Sequence, residues 1–138
     1  MEKAFRLLIG ADIKKIPGVS ARLENEMGTS GFTADEILDI QLAVEEVITN
    51  VIVHGYRGRG GEIEITCRIS GDRAVIRIAD TAPPFDPLSL ADPDISADVE
   101  DRKVGGLGVY LVRKVTDGIS YRRENGKNIL ELEKKRSS

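Results

Sequence analysis

The sequence contains a single cysteine and no tryptophan, and aromatic residues make up only 4% of its 138 residues. Cys67 can form neither an intrachain disulfide nor, by itself, a zinc site, so a disulfide-stapled or zinc-ribbon fold is excluded. No apolar run approaches the roughly 20 residues that a helix needs to cross a bilayer. The amino-terminal residues also lack the apolar stretch of a secretory signal, so we expect a cytoplasmic protein without membrane segments.

An excess of positive charge is also missing, because 20 Lys and Arg residues stand against 23 Asp and Glu residues, for a formal net charge of -3. Without a basic field the chain is not expected to bind nucleic acid or anionic lipid directly. A chain of this length with 41% hydrophobic residues fits a single globular domain over residues 1–138.

Hydrophobic periodicity predicts a mixture of helices and strands. A period near 3.6, with Thr33 as a helix cap and Gly28 and Gly55 as helix ends, predicts three helices, at residues 13–27, 34–54 and 106–116. Alternation of apolar and polar residues predicts five strands, at residues 5–9, 62–70, 73–79, 118–124 and 128–134. We therefore expect an α+β two-layer sandwich, with helices on one face of a mixed, mostly antiparallel sheet.

The long central helix is apolar on more than one side. One stripe is expected to pack on the sheet, and it consists of Ile37, Ile40, Val44, Val47, Ile48 and Val51. Nearly opposite, Glu46 and Asn50 lie one turn apart among the aliphatic residues Leu42, Ala43 and Val53. Two interpretations remain open: a solvated helix face, or a pocket wall on which Asn50 offers an oxygen to hydrated Mg²⁺ and Glu46 acts as a base.

Asp80 continues the inward phase of the strand that precedes it, so its carboxylate is expected to point towards the core side of the sheet. A buried carboxylate needs hydrogen-bond donors. They could come from the backbone of the following turn, which Asp80 would then cap, or from a ligand such as the exocyclic amine of a purine.

A glycine cluster formed by Gly105, Gly106 and Gly108 opens the third helix. It is compatible with a tight turn or with close approach of backbone N–H groups to a phosphate. Residues 81–104, before this cluster, are too long and irregular for an ordinary connection, which is typical of a lid. Arg102 and Lys103 end that segment, where they could contact phosphate oxygens.

Taken in order, these features resemble the N, G1 and G2 boxes of the Bergerat-fold (GHKL) ATPases. The N box corresponds to Glu46-x-x-x-Asn50, the G1 box to Asp80, and the G2 box to Gly106-Leu107-Gly108 after a long lid. Within that superfamily, residues 43–56 and 105–112 are similar to the anti-sigma-factor serine kinases of the RsbW type. The similarity spans nearly the whole chain and implies a Bergerat-type sandwich with an ATP lid at residues 81–104.

The resemblance implies a Mg²⁺-ATP site in which Asp80 reads the adenine, Asn50 holds the metal and Glu46 is the catalytic base. The nucleotide-binding residues that it implies are Asn50, Asp80, Ala82, Phe85, Arg102, Lys103, Gly105, Gly106, Leu107, Gly108 and Val109. It further implies phosphorylation of a serine on a STAS-fold anti-anti-sigma factor, sequestration of a sigma factor, and a homodimer. A non-catalytic, ATP-gated module that sequesters a regulator stays open as the alternative, since it needs Asp80 and the glycines but not Glu46.

The sequence departs from the superfamily pattern at three positions. Ala82 and Pro84 replace glycines of the G1 box and stiffen the turn beside the expected adenine, although we expect ATP binding to survive. Many superfamily members place a threonine on the late strand near the aspartate, where it helps to fix the purine through a water, whereas this chain has Asn128, which either substitutes for that threonine or leaves the contact missing. His54, at a helix end, is expected to have a structural role.

Overall fold

The computed structural model describes residues 2–86 and 106–137, with the backbone alone for residues 106–110. The described strands are β1 (Lys3–Gly10), β2 (Glu62–Ser70), β3 (Arg73–Asp80), β4 (Gly118–Glu124) and β5 (Lys127–Lys135). The described α-helices are α1 (Ile16–Thr29), α2 (Ala34–Asn50) and α3 (Gly106–Val115). A 3-10 turn at Ile13–Lys15 precedes α1, and a π-helical turn at Val51–Gly55 continues α2.

The five strands form one sheet in the order β1-β2-β3-β5-β4, and each neighbouring pair is antiparallel. The predicted mostly antiparallel sheet is therefore confirmed. Strand β5 lies between β3 and β4, so the end of β3 lies beside the start of β5, next to the turn that joins β4 and β5. In this register Asp80 lies directly opposite Asn128.

The core lies between the inward face of the sheet and the helices, which confirms the predicted two-layer α+β sandwich. On β2 the buried residues are the four predicted ones, Ile63, Ile65, Cys67 and Ile69. Ile40, Val44 and Ile48 of α2 are completely buried against them, as the predicted stripe requires. Burial raises the pKa of the Cys67 thiol to about 12, so this thiol is protonated and unreactive at neutral pH.

The start of α2 confirms the predicted Thr33 cap. The Thr33 hydroxyl accepts a hydrogen bond from the Glu36 N–H at 3.1 Å, and the Glu36 carboxylate accepts from the Thr33 N–H at 2.8 Å. This reciprocal pair satisfies two N–H groups that the helix itself leaves without partners. The Thr33 backbone bond is the main reason that the pKa of Glu36 falls to about 2.

Two predicted helices differ from the structure at their ends. The helix expected at residues 13–27 divides into the 3-10 turn, which Asp12 caps, and α1, whose first turn contains Pro17. The prediction that Gly28 ends this helix is wrong, because α1 continues to Thr29. The hydroxyl groups of Thr29 and Ser30 donate hydrogen bonds to carbonyl groups of the last turn, which would otherwise lack partners. The long helix ends as an α-helix at Asn50 and reaches Gly55 as a π turn.

Candidate functional site

One cavity collects the buried polar side chains of the described part of the chain. Among those residues three polar side chains are buried, with 8%, 5% and 5% of their surface exposed: Asn50, Asp80 and Asn128. All three line one cavity between the carboxyl end of α2 and the sheet. The other lining residues are Val47, Val51, Gly55, Ile78, Phe85, Val112, Ile119, Tyr121 and Leu130. An apolar cavity with a few convergent polar groups is typical of a small-molecule site.

Asp80 reaches this cavity because it is the last residue of β3 and keeps the inward phase of the strand. Its Oδ1 atom accepts hydrogen bonds from the Ala82 N–H at 3.0 Å and from Asn128 Nδ2 at 2.9 Å. Burial nevertheless raises the pKa of the carboxyl, an effect that these two bonds and the charge of Arg123 only partly oppose. Asp80 thus both caps its own turn and presents a carboxylate to the cavity.

Asn128 fastens the turn that follows Asp80. Besides its bond to the carboxylate, Nδ2 of Asn128 lies 3.1 Å from the carbonyl oxygens of Ala82 and Pro83. Three acceptors therefore surround a group that has only two hydrogens, so the amide nitrogen is fully used on this side. Asn128 thus contacts Asp80 directly, and its substitution for the family threonine at the purine stays a prediction.

The other end of the Asn128 amide has donors as its neighbours. Its Oδ1 atom accepts from the Tyr121 hydroxyl at 2.5 Å and faces the Phe85 N–H at 3.4 Å. Donors on one side and acceptors on the other fix which way the amide points. Tyr121, which the sequence pattern did not single out, thereby holds Asn128 towards Asp80.

Tyr56 holds the next residue of the same turn. Its hydroxyl donates to the Glu62 carbonyl at 2.6 Å and accepts from the Thr81 N–H at 3.0 Å. The ring packs so closely on Gly61 that a Cβ there would lie 2.2 Å from it. The sequence signal for this role is a tyrosine that follows a helix end, since a buried tyrosine hydroxyl needs a partner.

Ala82 is held from two further directions. Arg123 donates to its carbonyl oxygen at 2.8 Å, a contact for which the sequence carries no local signal. On the other side a Cβ placed on Gly55 would lie only 3.2 Å from the Ala82 methyl group. The alanine that replaces a family glycine is thus accommodated opposite a residue that has no side chain.

Asn50 and Glu46 occupy different positions relative to the cavity. Asn50 lines it, and among the described residues no hydrogen bond is made to its side chain. Glu46 lies one turn earlier on α2, is half-buried, and is not among the lining residues. The described part of the chain contains no group of three His, Cys, Asp or Glu side chains that could hold a metal ion by themselves. A metal here would therefore depend on Asn50, water and a ligand for its oxygens, which is usual for Mg²⁺.

Phe85 closes the cavity on the side of the turn. Its ring stacks on His54 with a centroid separation of 6.1 Å, and Nε2 of His54 is buried without a partner among the described residues. The cavity volume is about 30 Å³, which is enough for at least one ordered water molecule. Phe85 is half-buried and lies on the turn after β3 rather than on a strand.

The remaining predicted site residues divide into two groups. Gly106, Leu107, Gly108 and Val109 form the first turn of α3, so the glycine cluster does open a helix as predicted. Arg102, Lys103 and Gly105 lie outside the described residues, as does the predicted lid from residue 87 onward. In the described segments no helix combines the length and the apolar character needed to cross a membrane.

Comparison with protein families gives a match over residues 9–134 to the model described as the histidine kinase-like ATPase domain. A curated relative, the serine-protein kinase RsbW of Bacillus cereus strain AH187, is 35% identical over 105 residues. These residues are 73% of this chain and 66% of the relative. The protein of the same name from Bacillus thuringiensis subsp. konkukian is 36% identical over 104 residues, which are 72% of this chain and 65% of the relative.

The chain thus spans slightly less than two thirds of the length of these relatives. Among solved structures, the RsbU and RsbW domains of a Mycobacterium tuberculosis protein superpose with a TM-score of 0.70. The superposition covers 97% of this chain and 32% of that chain, at 16% sequence identity. At this identity the likeness concerns the fold, and it agrees with the two-layer arrangement described above.

Proposed function

We propose, from the premise that this chain belongs to the family of histidine kinase-like ATPase domains, that it binds ATP with Mg²⁺ and acts as a protein serine kinase. The observation that carries the proposal is the convergence of three buried polar side chains, Asn50, Asp80 and Asn128, on one largely apolar cavity. A charged carboxylate is costly to bury, so a structural domain without a ligand would gain little from directing Asp80 into this cavity.

In this proposal the adenine lies in the cavity and its exocyclic amine donates to Asp80. Asn50 offers its amide oxygen to Mg²⁺, which when bound neutralises charge on the phosphates. The first turn of α3 supplies backbone N–H groups to the phosphates, with Gly106 and Gly108 allowing close approach. Arg102 and Lys103 are proposed to contribute positive charge beside them. Ala82 and Phe85 shape the base end of the site.

Glu46 is the proposed catalytic base. It would take the proton from a serine hydroxyl of a protein substrate as the serine oxygen bonds to the γ-phosphorus and the bond to the β-phosphate oxygen breaks, which releases ADP. Such a base contributes on the order of 10²–10⁴ in rate. Support comes from its place on α2, one turn from Asn50 and half-buried rather than fully solvated.

The relatives named serine-protein kinase RsbW support a more specific role. We propose that the chain is a cytoplasmic anti-sigma factor, that its protein substrate is a STAS-fold anti-anti-sigma factor, and that it sequesters a sigma factor as a homodimer. The sigma factor and the antagonist would compete for it.

One observation favours the alternative function, a non-catalytic module that binds a regulator under the control of ATP. Glu46 does not line the cavity, whereas Asp80, which both functions need, does. The two functions differ in whether any phosphoryl group is transferred.

The test incubates the protein with Mg²⁺, γ-labelled ATP and a purified STAS-fold protein, and follows label on serine. We expect transfer by the wild type, and for Glu46→Ala unchanged ATP affinity with at least about 100-fold slower transfer. Glu45→Ala is a matched control, because Glu45 is the neighbouring acid and bonds to Ser20 of α1 instead. ATP binding without transfer to any STAS-fold partner would support the non-catalytic module, and normal transfer by Glu46→Ala would refute the assigned base.

A further inference from the structure

The carboxylate of Asp80 is not equally available at its two oxygens. Among the described residues, both hydrogen bonds that it receives arrive at Oδ1, from the Ala82 N–H at 3.0 Å and from Asn128 Nδ2 at 2.9 Å. A carboxylate oxygen has about two lone-pair sites, so two donors occupy Oδ1 fully. Only Oδ2 then remains to accept from a ligand in the cavity.

This asymmetry matters because the two common purines present different donors to a carboxylate. Adenine has one donor group on its Watson–Crick edge, the exocyclic N6 amine, next to the N1 acceptor. Guanine has two adjacent donors, N1–H and the N2 amine, which pair best with both oxygens of one carboxylate. A carboxylate with one free oxygen can satisfy adenine but only half of guanine, and an unsatisfied buried donor is costly.

We propose that Asn128 is a specificity-determining residue which, by occupying Oδ1 of Asp80, makes the site select adenine over guanine. The inference rests on the proposed nucleotide function and goes beyond it, since it assigns base selection to a residue that acts through Asp80 and not through a polar contact of its own with the base. Asn128 is suited to this because its nitrogen already faces three acceptors and its oxygen is held by Tyr121. It has no polar group left with which to read a purine directly.

Burial supports the same assignment. Asn128 and Asp80 face each other on adjacent strands, and each has 5% of its surface exposed. Water therefore does not compete easily for Oδ1, and the amide is not free to turn away. Desolvation raises the pKa of Asp80, which makes the Asn128 donor valuable for keeping the carboxylate charged.

The test measures dissociation constants for ATP, GTP and ITP with Mg²⁺ by competition against a fluorescent ATP analogue. ITP differs from GTP only by the missing N2 amine, so the GTP-to-ITP ratio reports whether a second carboxylate oxygen is available. For the wild type we expect ATP to bind best and GTP to bind no better than ITP, because the N2 amine of guanine would be left without an acceptor. A tenfold preference of the wild type for GTP over ITP would overturn the proposal without any mutant.

The variant Asn128→Val removes the donor and frees one acceptor site on Oδ1. We expect GTP to gain about tenfold or more over ITP in this variant, as for a new hydrogen bond to a charged group. Asn128→Ala serves the same purpose if Asn128→Val does not fold, as judged by thermal unfolding. An unchanged GTP-to-ITP ratio in a folded Asn128 variant refutes the proposal.

Tyr121→Phe is the matched control. It removes the hydroxyl that holds Asn128 Oδ1 but leaves the donor to Asp80, so it should weaken all three nucleotides similarly and leave the GTP-to-ITP ratio unchanged. If Tyr121→Phe shifts the ratio as much as Asn128→Val, order in the turn rather than occupancy of Oδ1 sets selectivity, and the proposal fails. If the wild type binds none of the nucleotides, the proposed function itself fails, which is a different outcome.

Discussion

The substitution Asp80→Asn should separate binding from stability, because the two properties are expected to change in opposite directions. The amide oxygen of the new side chain can keep the bonds from Ala82 and Asn128, so the turn retains its shape. The amide nitrogen then replaces Oδ2 and faces the cavity as a donor. An adenine amine would meet a donor in place of a charged acceptor. The loss of a hydrogen bond to a charged group, about 1.5–3 kcal/mol, corresponds to about 10- to 150-fold weaker ATP binding.

The free energy of unfolding of Asp80→Asn should not fall, although its affinity for ATP does. Burial raises the pKa of Asp80 in the folded protein, so the folded state binds this proton more tightly than the unfolded chain does. The ionised carboxylate therefore costs stability at neutral pH, and the cost disappears as the pH falls through the folded-state pKa towards the ordinary carboxyl value. Asp80→Asn should unfold at an equal or higher temperature than the wild type at pH 7, and this advantage should shrink in acid.

Calorimetric titration with Mg²⁺-ATP and thermal unfolding between pH 4 and 8 measure the two effects on the same samples. Asp72→Asn is the control, because it makes the same change of charge in the exposed turn between β2 and β3. If Asp80→Asn binds ATP as tightly as the wild type does, the proposed hydrogen bond from adenine to this carboxylate is refuted. A large loss of stability at pH 7 would instead show that Asp80 serves mainly to cap its own turn.

Three further predictions address the metal, the helix cap and the turn beside Asp80. Asn50→Ala should weaken ATP binding in Mg²⁺ but not in EDTA, as followed by titration under both conditions; equal loss in both would exclude a metal role. Because the pKa of Glu36 falls from 4.5 to about 2 on folding, its contribution is present above pH 4.5 and lost as the pH falls towards 2, so urea unfolding of Glu36→Gln and wild type should converge in acid. Gly55→Ala places a methyl group 3.2 Å from that of Ala82 and should lower ATP affinity several-fold, with rescue by the added change Ala82→Gly; additive losses would contradict a direct clash.

The parts of the fold that the sequence predicts well depend on local patterns. The strand β2 follows from its strict alternation, and the start of α2 follows from Thr33 and Glu36, three residues apart. Each pattern states which residues are buried or which N–H groups are capped without reference to the rest of the chain. The π turn after Asn50 has no such signal, because an apolar period near 3.6 does not distinguish an α-helical turn from a π-helical one over five residues.

Part of the candidate site is predictable for the same reason. The direction of Asp80 follows from the two-residue period of β3, which is a property of one strand. Its contact with Asn128 depends on how β5 pairs with β3 across 48 residues of chain. Alternation leaves the pairing partner and the register of a strand open, so the sequence alone does not specify that Asn128 lies opposite Asp80. Arg123 and Tyr121 depend on the same pairing, through β4.

The position of Glu46 outside the cavity wall is compatible with its proposed role when α2 is considered along its axis. Gly55, Asn50 and Glu46 follow one another towards the amino end of the helix, and at 1.5 Å per residue Glu46 lies about 6 Å beyond Asn50 on the side away from Gly55. A nucleotide with its base beside Asp80 and Gly55 would extend its phosphates past Asn50, so a group that meets the acceptor serine has to lie beyond the base cavity. A base on the cavity wall would face the purine, where no proton is transferred.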